Sequence, residues 1–102
     1  MLKDEVLNYL TTIPKGKVVT YSQIGKDLDT KAYRAIGNIL HNNSDPVKYP
    51  CFKVVNAKGE LAEHFGAEGG ILTQRERLIN DGVEVIDFRV DLNKYQWKKE
   101  KK

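Results

Sequence analysis

The chain has 102 residues, 40% of them hydrophobic and 30% charged, and a formal net charge of +3. This size and composition predict one globular domain with a modest core that needs neither disulfides nor metal. No apolar run approaches the roughly 20 residues that a bilayer-spanning helix needs, and the first residues lack the layout of a signal peptide. We therefore expect no membrane contact.

Cys51 is the only cysteine, so an internal disulfide is excluded and a reducing cytoplasm is the expected location. The two histidines and this cysteine are too scattered along the chain to predict a zinc site. The basic excess permits a nucleic-acid partner without demonstrating one. Part of that excess lies in residues 98–102, which we interpret as a basic, disordered tail.

The first part of the chain predicts two helices separated by a turn. The first helix is expected over residues 3–11, and Pro14-Lys15-Gly16 is a turn signal. Thr20 and Gln23 fit a capping box, in which the threonine hydroxyl caps a helix and the glutamine reaches back. This second helix is expected to end near Leu28.

The segment 31–42 is the clearest helical element, with Asp29 or Thr30 as its expected cap. Its predicted buried stripe follows helical spacing and consists of Ala32, Ala35, Ile36, Ile39 and Leu40. The opposite face carries Arg34, Gly37, Asn38 and His41. A glycine inside a helix costs about 1 kcal/mol relative to alanine, so Gly37 indicates that another surface comes close. That surface is either DNA or a neighbouring helix.

After this helix the pattern becomes extended. Residues 52–55 are expected to form a short strand, and a hairpin turn at 56–59 leads into residues 60–62. Residues 64–70 are expected to form a flexible loop.

A further helix is predicted over residues 71–80, with Gly82 as its stop. Its inward residues are expected to be Leu72, Leu78 and Ile79. Residues 83–90 are expected to be extended, with alternation of Ile86, Phe88 and Val90, and residues 91–97 should dock their aromatic side chains on the body.

Together these elements predict a single α/β domain over residues 1–97 that is helical with a short β-hairpin or small sheet. Residues from about 20 to 42 would form a helix-turn-helix, which gives the domain a winged helix-turn-helix character.

Several motifs then carry a resemblance to one family. They are Ile13-Pro14-Lys15-Gly16-Lys17-Val18-Val19-Thr20-Tyr21, Arg34-Ala35-Ile36-Gly37, Asn43, Pro50-Cys51 with Val54 and Val55, and Asp81-Gly82. In order and spacing they resemble the DNA-binding and active-site domain of the O6-alkylguanine-DNA alkyltransferases, with their alkyltransferase-like relatives. The resemblance covers about residues 1–90 and implies a stand-alone form of that domain.

The resemblance implies a protein that binds double-stranded DNA in the minor groove and flips O6-alkylguanine out of the duplex. The 31–42 helix would enter the groove, where the small residues Ala32 and Gly37 allow close approach. Arg34 would take the place of the extruded guanine, and Tyr21 would press on the adjacent phosphate. The implied DNA-binding residues are Thr20, Tyr21, Ser22, Ala32, Arg34, Gly37, Asn38 and His41.

The resemblance also implies irreversible transfer of the alkyl group to Cys51, without a cofactor. Asn43 would shape the turn behind the pocket, and Asp81 stands at the position of a family glutamate. The implied alkylguanine pocket consists of Tyr21, Pro50, Cys51, Val54 and Phe65. We expect a monomer that is cytoplasmic, nucleoid-associated when bound to DNA, and followed in its action by other repair proteins.

The chain departs from the family's Pro-Cys-His-Arg-Val motif directly after Cys51. Phe52 replaces the histidine that helps to ionise the thiol, and Lys53 replaces the arginine. This matters because a free thiol has a pKa of about 8.5 and only the thiolate is nucleophilic. Lys53 could favour the thiolate, although adjacent residues of a strand point to opposite faces, and His64 could approach from its loop.

Three functions therefore stay open. The retained cysteine favours stoichiometric alkyl transfer, whereas the lost histidine favours a non-enzymatic sensor that binds the lesion and flags it for another pathway. A general helix-turn-helix regulator would need base-reading side chains and a dimer interface, and the small-residue face argues against it.

Overall fold

The computed structural model describes residues 1–62 and 70–98. In chain order the described elements are α1 (Leu2–Leu10), β1 (Val19–Thr20), α2 (Tyr21–Asp27), α3 (Tyr33–His41), a 3₁₀ turn (Cys51–Lys53), β2 (Val54–Val55), α4 (Ile71–Asn80) and α5 (Leu92–Tyr95). The predicted class, a small mostly helical α/β domain with a small sheet, is confirmed. None of the helices in this described part is long and apolar enough to cross a membrane.

The two short strands divide the interior into two cores. β1 and β2 are parallel, with Val19 opposite Val54 and Thr20 opposite Val55. Because neighbouring strand residues face opposite sides of a sheet, Val19 and Val54 pack with the helices α1, α2 and α3, where Cys51 also lies. Val18 and Val55 pack on the other side, with residues from α4 and the C-terminal part of the chain.

The helix-turn-helix consists of α2 and α3, and Thr20 caps its first helix as predicted. The Thr20 hydroxyl accepts a hydrogen bond from the Gln23 backbone N–H at 3.1 Å. The reciprocal half of the capping box is wrong, because the Gln23 side chain instead bonds Trp97 and Gln96. Neither Asp29 nor Thr30 is the N-cap of α3, since the helix begins at Tyr33 with Ala32 as its N-cap. The Thr30 hydroxyl instead accepts a hydrogen bond from the Ala32 N–H at 3.1 Å, just before the helix.

Gly25 allows the turn between these helices to close. A Cβ at this position would lie 2.8 Å from the Thr30 carbonyl oxygen and would collide with the Tyr33 ring. Gly37 differs, because no atom of the described residues outside its own helix turn lies within 4 Å of the position of its Cβ.

Burial on α3 follows the predicted stripe only in part. Ile36 and Leu40 are buried, and Ala35 and Ile39 are half-buried. Ala32 is exposed, which corrects its place in the stripe, because it precedes the first turn of the helix.

The bounds of α4 agree with the predicted residues 71–80, but its inward face does not. Leu78 is buried, whereas Leu72 is 56% and Ile79 is 49% exposed. Gln74 takes the inward position because its amide finds three backbone partners there. Its Nε2 donates to the carbonyl oxygens of Phe52 and Val54, each at 3.0 Å, and its Oε1 accepts from the Ala62 N–H at 2.7 Å.

The predicted strand at 52–55 begins later than expected. Cys51, Phe52 and Lys53 form a 3₁₀ turn, closed by a hydrogen bond from the Lys53 N–H to the Pro50 carbonyl at 3.1 Å. Extended pairing is therefore limited to Val54 and Val55.

The turn at 56–59 is confirmed, because the Asn56 N–H donates to the Glu60 carbonyl and Gly59 has a φ of +81°. The prediction of a continuous extended segment at 83–90 is wrong. Asp87 and Phe88 have φ values of 53° and 57° and reverse the chain between Ile86 and Arg89. Consequently Ile86 and Phe88 are exposed, and of the predicted alternating set only Val90 is buried.

The segment after Val90 docks on the body as predicted. Tyr95 packs against the second core, and the Trp97 ring lies 5.8 Å from the ring of Tyr9. The Val18 backbone makes two hydrogen bonds with this segment. Its N–H donates to the Tyr95 carbonyl at 2.9 Å, and its carbonyl accepts from the Trp97 N–H at 2.8 Å. Of the predicted 64–70 loop, the structure describes Gly70, and of the predicted tail it describes Lys98.

The two helical glycines should respond in opposite ways to alanine. Gly25→Ala should destabilise the protein by about 1–3 kcal/mol, because the new methyl group overpacks the turn against Tyr33 and Thr30. Gly37→Ala should stabilise it by up to about 1 kcal/mol, because helix propensity improves where space is open. Urea unfolding of both variants tests this, and equal shifts in their midpoints would contradict it.

Candidate functional site

Cys51 lies between the helix-turn-helix and α4. The residue is 8% exposed and packs with the first core. The negative charge of an ionised Cys51 contributes to raising the pKa of Tyr21, although burial of the Tyr21 hydroxyl contributes more. These two side chains are therefore close enough to interact electrostatically.

Asn43 spans the turn that leads from α3 to the cysteine. Its Nδ2 donates to the Tyr49 carbonyl at 2.7 Å, and its Oδ1 accepts from the Asp45 N–H at 3.0 Å. The Asn43 side chain also makes a hydrogen bond that lowers the pKa of Cys51. Asn43 thus both stabilises the turn and lowers the pKa of the thiol.

The thiol itself is held in its neutral form. Burial raises the pKa of Cys51, and this effect exceeds the lowering by Asn43 and by the positive charge of Arg77. Because a buried thiolate loses hydration, the protonated thiol is favoured at neutral pH. Arg77 on α4 was missed by the sequence reasoning, although it follows the inward Gln74 at helical spacing.

Lys53 does not supply the missing activation, because its amine is fully engaged elsewhere. The side chain is buried, and Nζ lies 2.9 Å from Asp81 Oδ2 and 2.9 Å from the Pro14 carbonyl oxygen. Asp81 Oδ2 also accepts a hydrogen bond from the Gly16 N–H at 3.0 Å. We call this arrangement of Pro14, Gly16, Lys53 and Asp81 the lysine clasp. The expected catalytic carboxylate, Asp81, is therefore the counter-ion of Lys53.

The outer face of α3 presents the residues that the sequence placed there. Arg34, Asn38 and His41 are exposed, and so are Ala32 before the helix and Ser22 on α2. The space where a Gly37 Cβ would lie is open. Among the described residues, therefore, no neighbouring helix packs against Gly37. Thr20 is different, because it is buried and its hydroxyl serves the helix cap and faces Ser22 Oγ at 3.2 Å.

The residues of the expected pocket differ in their burial. Tyr21 and Pro50 are half-buried, whereas Val54 is buried in the first core. Phe65 lies outside the described residues.

Tyr21 also borders a cleft of about 420 Å³ that the sequence did not indicate, lined further by Asn56, Glu60, Leu61, Ala62, Ile71, Asp87 and Phe88. Residues 1–62 and 70–98 contain no cluster of three or more His, Cys, Asp or Glu side chains arranged to hold a metal ion.

Comparison with known proteins identifies the family of the chain. Residues 1–83 match the family model of the 6-O-methylguanine DNA methyltransferase DNA-binding domain. The chain is 33% identical over 96 residues to a DNA base-flipping protein of Vibrio parahaemolyticus, covering 91% of this chain and 92% of that one. It is 40% identical over 89 residues to a bifunctional methyltransferase/endonuclease of Picrophilus torridus, covering 86% of this chain but only 29% of that protein.

The fold also matches solved structures. The Atl1 protein of Schizosaccharomyces pombe, in complex with damaged DNA containing O6-carboxymethylguanine, matches with a TM-score of 0.85 and 25% identity, over 95% of this chain and 94% of that one. The Mycobacterium tuberculosis OGT in complex with DNA matches with a TM-score of 0.71 and 29% identity, over 79% of this chain and 48% of that one. The chain therefore belongs to the O6-methylguanine DNA methyltransferase family, of which it contains the DNA-binding domain.

Proposed function

We propose that the protein binds double-stranded DNA containing O6-alkylguanine through the minor groove and draws the modified nucleotide out of the helix towards Tyr21 and Cys51. The observation that carries this proposal is the open, small-residue face of α3, with Gly37 uncovered and Arg34 exposed beside it. The relatives support it, since one is a DNA base-flipping protein and another, Atl1, is bound to DNA with an O6-alkylated guanine.

Arg34 and Tyr21 take different parts in this step. The Arg34 guanidinium is planar and stays charged, so it can stack in the gap left by the nucleotide while its charge remains near the phosphates. The raised pKa of Tyr21 keeps its hydroxyl protonated. A neutral hydroxyl can donate a hydrogen bond to a phosphate oxygen, whereas a phenolate would be repelled by it.

For the fate of the lesion, the geometry favours recognition over rapid repair. Burial raises the pKa of Cys51, Phe52 cannot accept a proton, and Lys53 is bound in the lysine clasp. We therefore propose a sensor that holds the lesion for a later excision step. The Picrophilus torridus relative, a bifunctional methyltransferase/endonuclease, supports a coupling of this kind of domain to strand cleavage.

Alkyl transfer to Cys51 is the second candidate, and a specific observation favours it. Asn43 and Arg77 both act to lower the pKa of the thiol, as expected for residues that assist a thiolate nucleophile. In that reaction the thiol would first lose its proton, and the thiolate sulfur would bond to the alkyl carbon while the carbon–O6 bond breaks. The electron pair of that bond would stay on the base, which takes up a proton to become guanine, and the sulfur would become an irreversible thioether.

Arg34→Ala should weaken binding to a duplex containing O6-methylguanine by about tenfold or more while changing undamaged-duplex binding little, because stacking in the gap is lost. Fluorescence anisotropy with both duplexes measures the ratio. Arg75→Ala is the matched control, since it removes an exposed arginine on α4. Equal losses on damaged and undamaged DNA would contradict the assigned role.

Gly37→Ala should weaken DNA binding although it stabilises the free protein, because a methyl group would hold the groove away from α3. We expect at least a severalfold loss of affinity for both duplexes, of the order of 1 kcal/mol. Asn8→Ala is the control, because it raises helix propensity at an exposed position of α1. Unchanged affinity of Gly37→Ala would show that this face does not meet DNA.

Transfer to Cys51, if it occurs, should be slow at neutral pH and should accelerate as the pH rises. Since burial raises the thiol pKa, the thiolate fraction increases about tenfold per pH unit up to a pKa above its ordinary value. Intact-mass measurement with an O6-methylguanine duplex would reveal a gain of about 14 mass units, absent in Cys51→Ser. Fast stoichiometric methylation at pH 7 would identify a transferase and refute the sensor.

Phe52→His tests the missing base directly. If ionisation of the thiol limits transfer, this variant should methylate itself at least tenfold faster at pH 7, because the imidazole can accept the thiol proton. Phe52→Asn is the control, since it introduces a polar group that cannot act as a base. A gain shared by both variants would assign the effect to polarity or access, and no gain would show that ionisation is not limiting.

A further inference from the structure

Gln74 is a polar residue at a fully buried position of α4. It shares the inward face of the helix with Leu78, and neither residue has exposed surface. A buried amide is costly unless it is hydrogen-bonded, and an apolar residue of similar size would avoid that cost. The presence of a glutamine here is therefore explained by its hydrogen-bond partners and not by packing.

Two of these partners belong to the segment that carries the thiol. The side-chain Nε2 of Gln74 donates to the carbonyl oxygens of Phe52 and Val54, each at 3.0 Å. Phe52 lies in the 3₁₀ turn of residues 51–53, which we call the Cys51 turn, and Val54 is the next residue. Both protons of the amide nitrogen are therefore used to hold the backbone of the segment that carries Cys51.

The third partner belongs to a segment beside Tyr21. The side-chain Oε1 of Gln74 accepts a hydrogen bond from the Ala62 N–H at 2.7 Å. Leu61 and Ala62 line the cleft of about 420 Å³ that Tyr21 borders, which we call the Tyr21 cleft. Because the oxygen and nitrogen of a side-chain amide belong to one rigid planar group, Gln74 fixes the Cys51 turn relative to the wall of the Tyr21 cleft.

The lysine clasp holds the same turn by a different route. The Lys53 side chain reaches Asp81 at the end of α4, with 2.9 Å between Nζ and Oδ2. Gln74 instead binds the backbone carbonyls on either side of Lys53. The Cys51 turn is therefore attached to α4 at two points, and its position follows that of the helix.

We propose that Gln74 is a positioning residue of the lesion site, which sets the distance between the Cys51 turn and the Tyr21 cleft and thereby selects for the alkylated base. The proposal rests on the proposed function, since the flipped O6-alkylguanine is the ligand that meets both. Gln74 acts through the backbone, because a residue without exposed surface does not touch DNA. Lesion selectivity then depends on α4, which carries none of the proposed DNA-binding residues.

Two substitutions separate the two halves of this amide. Gln74→Glu keeps an acceptor for the Ala62 N–H but loses both donors to the backbone around Lys53. Gln74→Lys keeps donors for the two carbonyl oxygens but loses the acceptor. If Gln74 positions the Cys51 turn, the two variants should differ in the reactivity of the thiol, whereas a loss of packing alone would affect both alike.

Alkylation of Cys51 by iodoacetamide, without DNA, is the first measurement. Intact mass at several pH values gives the limiting rate, which reports access to the thiol, and the midpoint, which reports its pKa. Gln74→Glu should raise the limiting rate by at least about tenfold, because release of the two carbonyls lets the turn open locally. Gln74→Lys should stay within about threefold of wild type, because it keeps those donors.

Fluorescence anisotropy with O6-methylguanine and undamaged duplexes is the second measurement. Gln74→Glu should lower the ratio of the two affinities by at least about tenfold, while binding of the undamaged duplex changes by less than about twofold, because α3 makes none of these bonds. Gln74→Met is uncharged and has no donor. It should behave like Gln74→Glu in both measurements, and it decides the question if a charged variant fails to fold.

Leu78→Ala is the matched control, because it removes buried packing from the same face of α4 and leaves the amide bonds in place. Urea unfolding gives the stability loss of each variant. At an equal loss, the control should keep the wild-type alkylation rate and affinity ratio to within about twofold. Equal effects of Leu78→Ala and Gln74→Glu would overturn the proposal, and so would equal effects of Gln74→Glu and Gln74→Lys on the thiol.

The two measurements also separate this proposal from the proposed function. If the wild type does not distinguish the two duplexes, lesion recognition fails, and alkylation of the thiol without DNA still decides whether Gln74 positions the Cys51 turn.

Discussion

The buried charge of Lys53 is the constraint around which the site is arranged. A buried ammonium is costly unless it is paired and hydrogen-bonded, and the lysine clasp meets this demand with Asp81 and the Pro14 carbonyl. The clasp fastens the Cys51 turn to the 13–16 turn and to the end of α4. It thereby joins three segments that are far apart in sequence, and one of them is the turn that carries the thiol.

The same clasp has a chemical consequence. A lysine engaged with a carboxylate and a carbonyl does not stabilise a neighbouring thiolate, and burial already disfavours that thiolate. The site therefore retains the nucleophilic atom in an environment that keeps it protonated. Asn43 and Arg77 oppose this effect without reversing it. This environment of the thiol is the physical basis for proposing a sensor that holds an alkylated base.

The DNA side of the molecule follows a different physical logic. In the proposed complex α3 allows the DNA to come close, because Gly37 leaves its outer surface open. The body contributes little net charge, and the lysines at residues 98–102 carry the excess.

Local chemistry was sufficient to predict the helices α1 to α4 and most of the turns, although not the short helix α5. Thr20 caps α2, α4 spans the predicted residues 71–80, and Gly59 closes the predicted turn, since capping, helical periodicity and positive φ depend on near neighbours in the chain. The family and the exposed face of α3 also followed from the motifs. The local pattern gave wrong predictions where burial depends on partners far away in the chain. Gln74 is buried in place of Leu72, because its side-chain amide makes hydrogen bonds with three backbone groups.

By itself, then, the sequence determined the kind of domain, its helix-turn-helix and the single thiol that marks the site. Only the tertiary structure decided which charges reach that thiol. Gly16 and Asp81 are 65 positions apart in the chain, and no local rule pairs Lys53 with Asp81 rather than with Cys51. The pairing is settled by the geometry of three converging segments and by the high cost of leaving a buried charge without a partner.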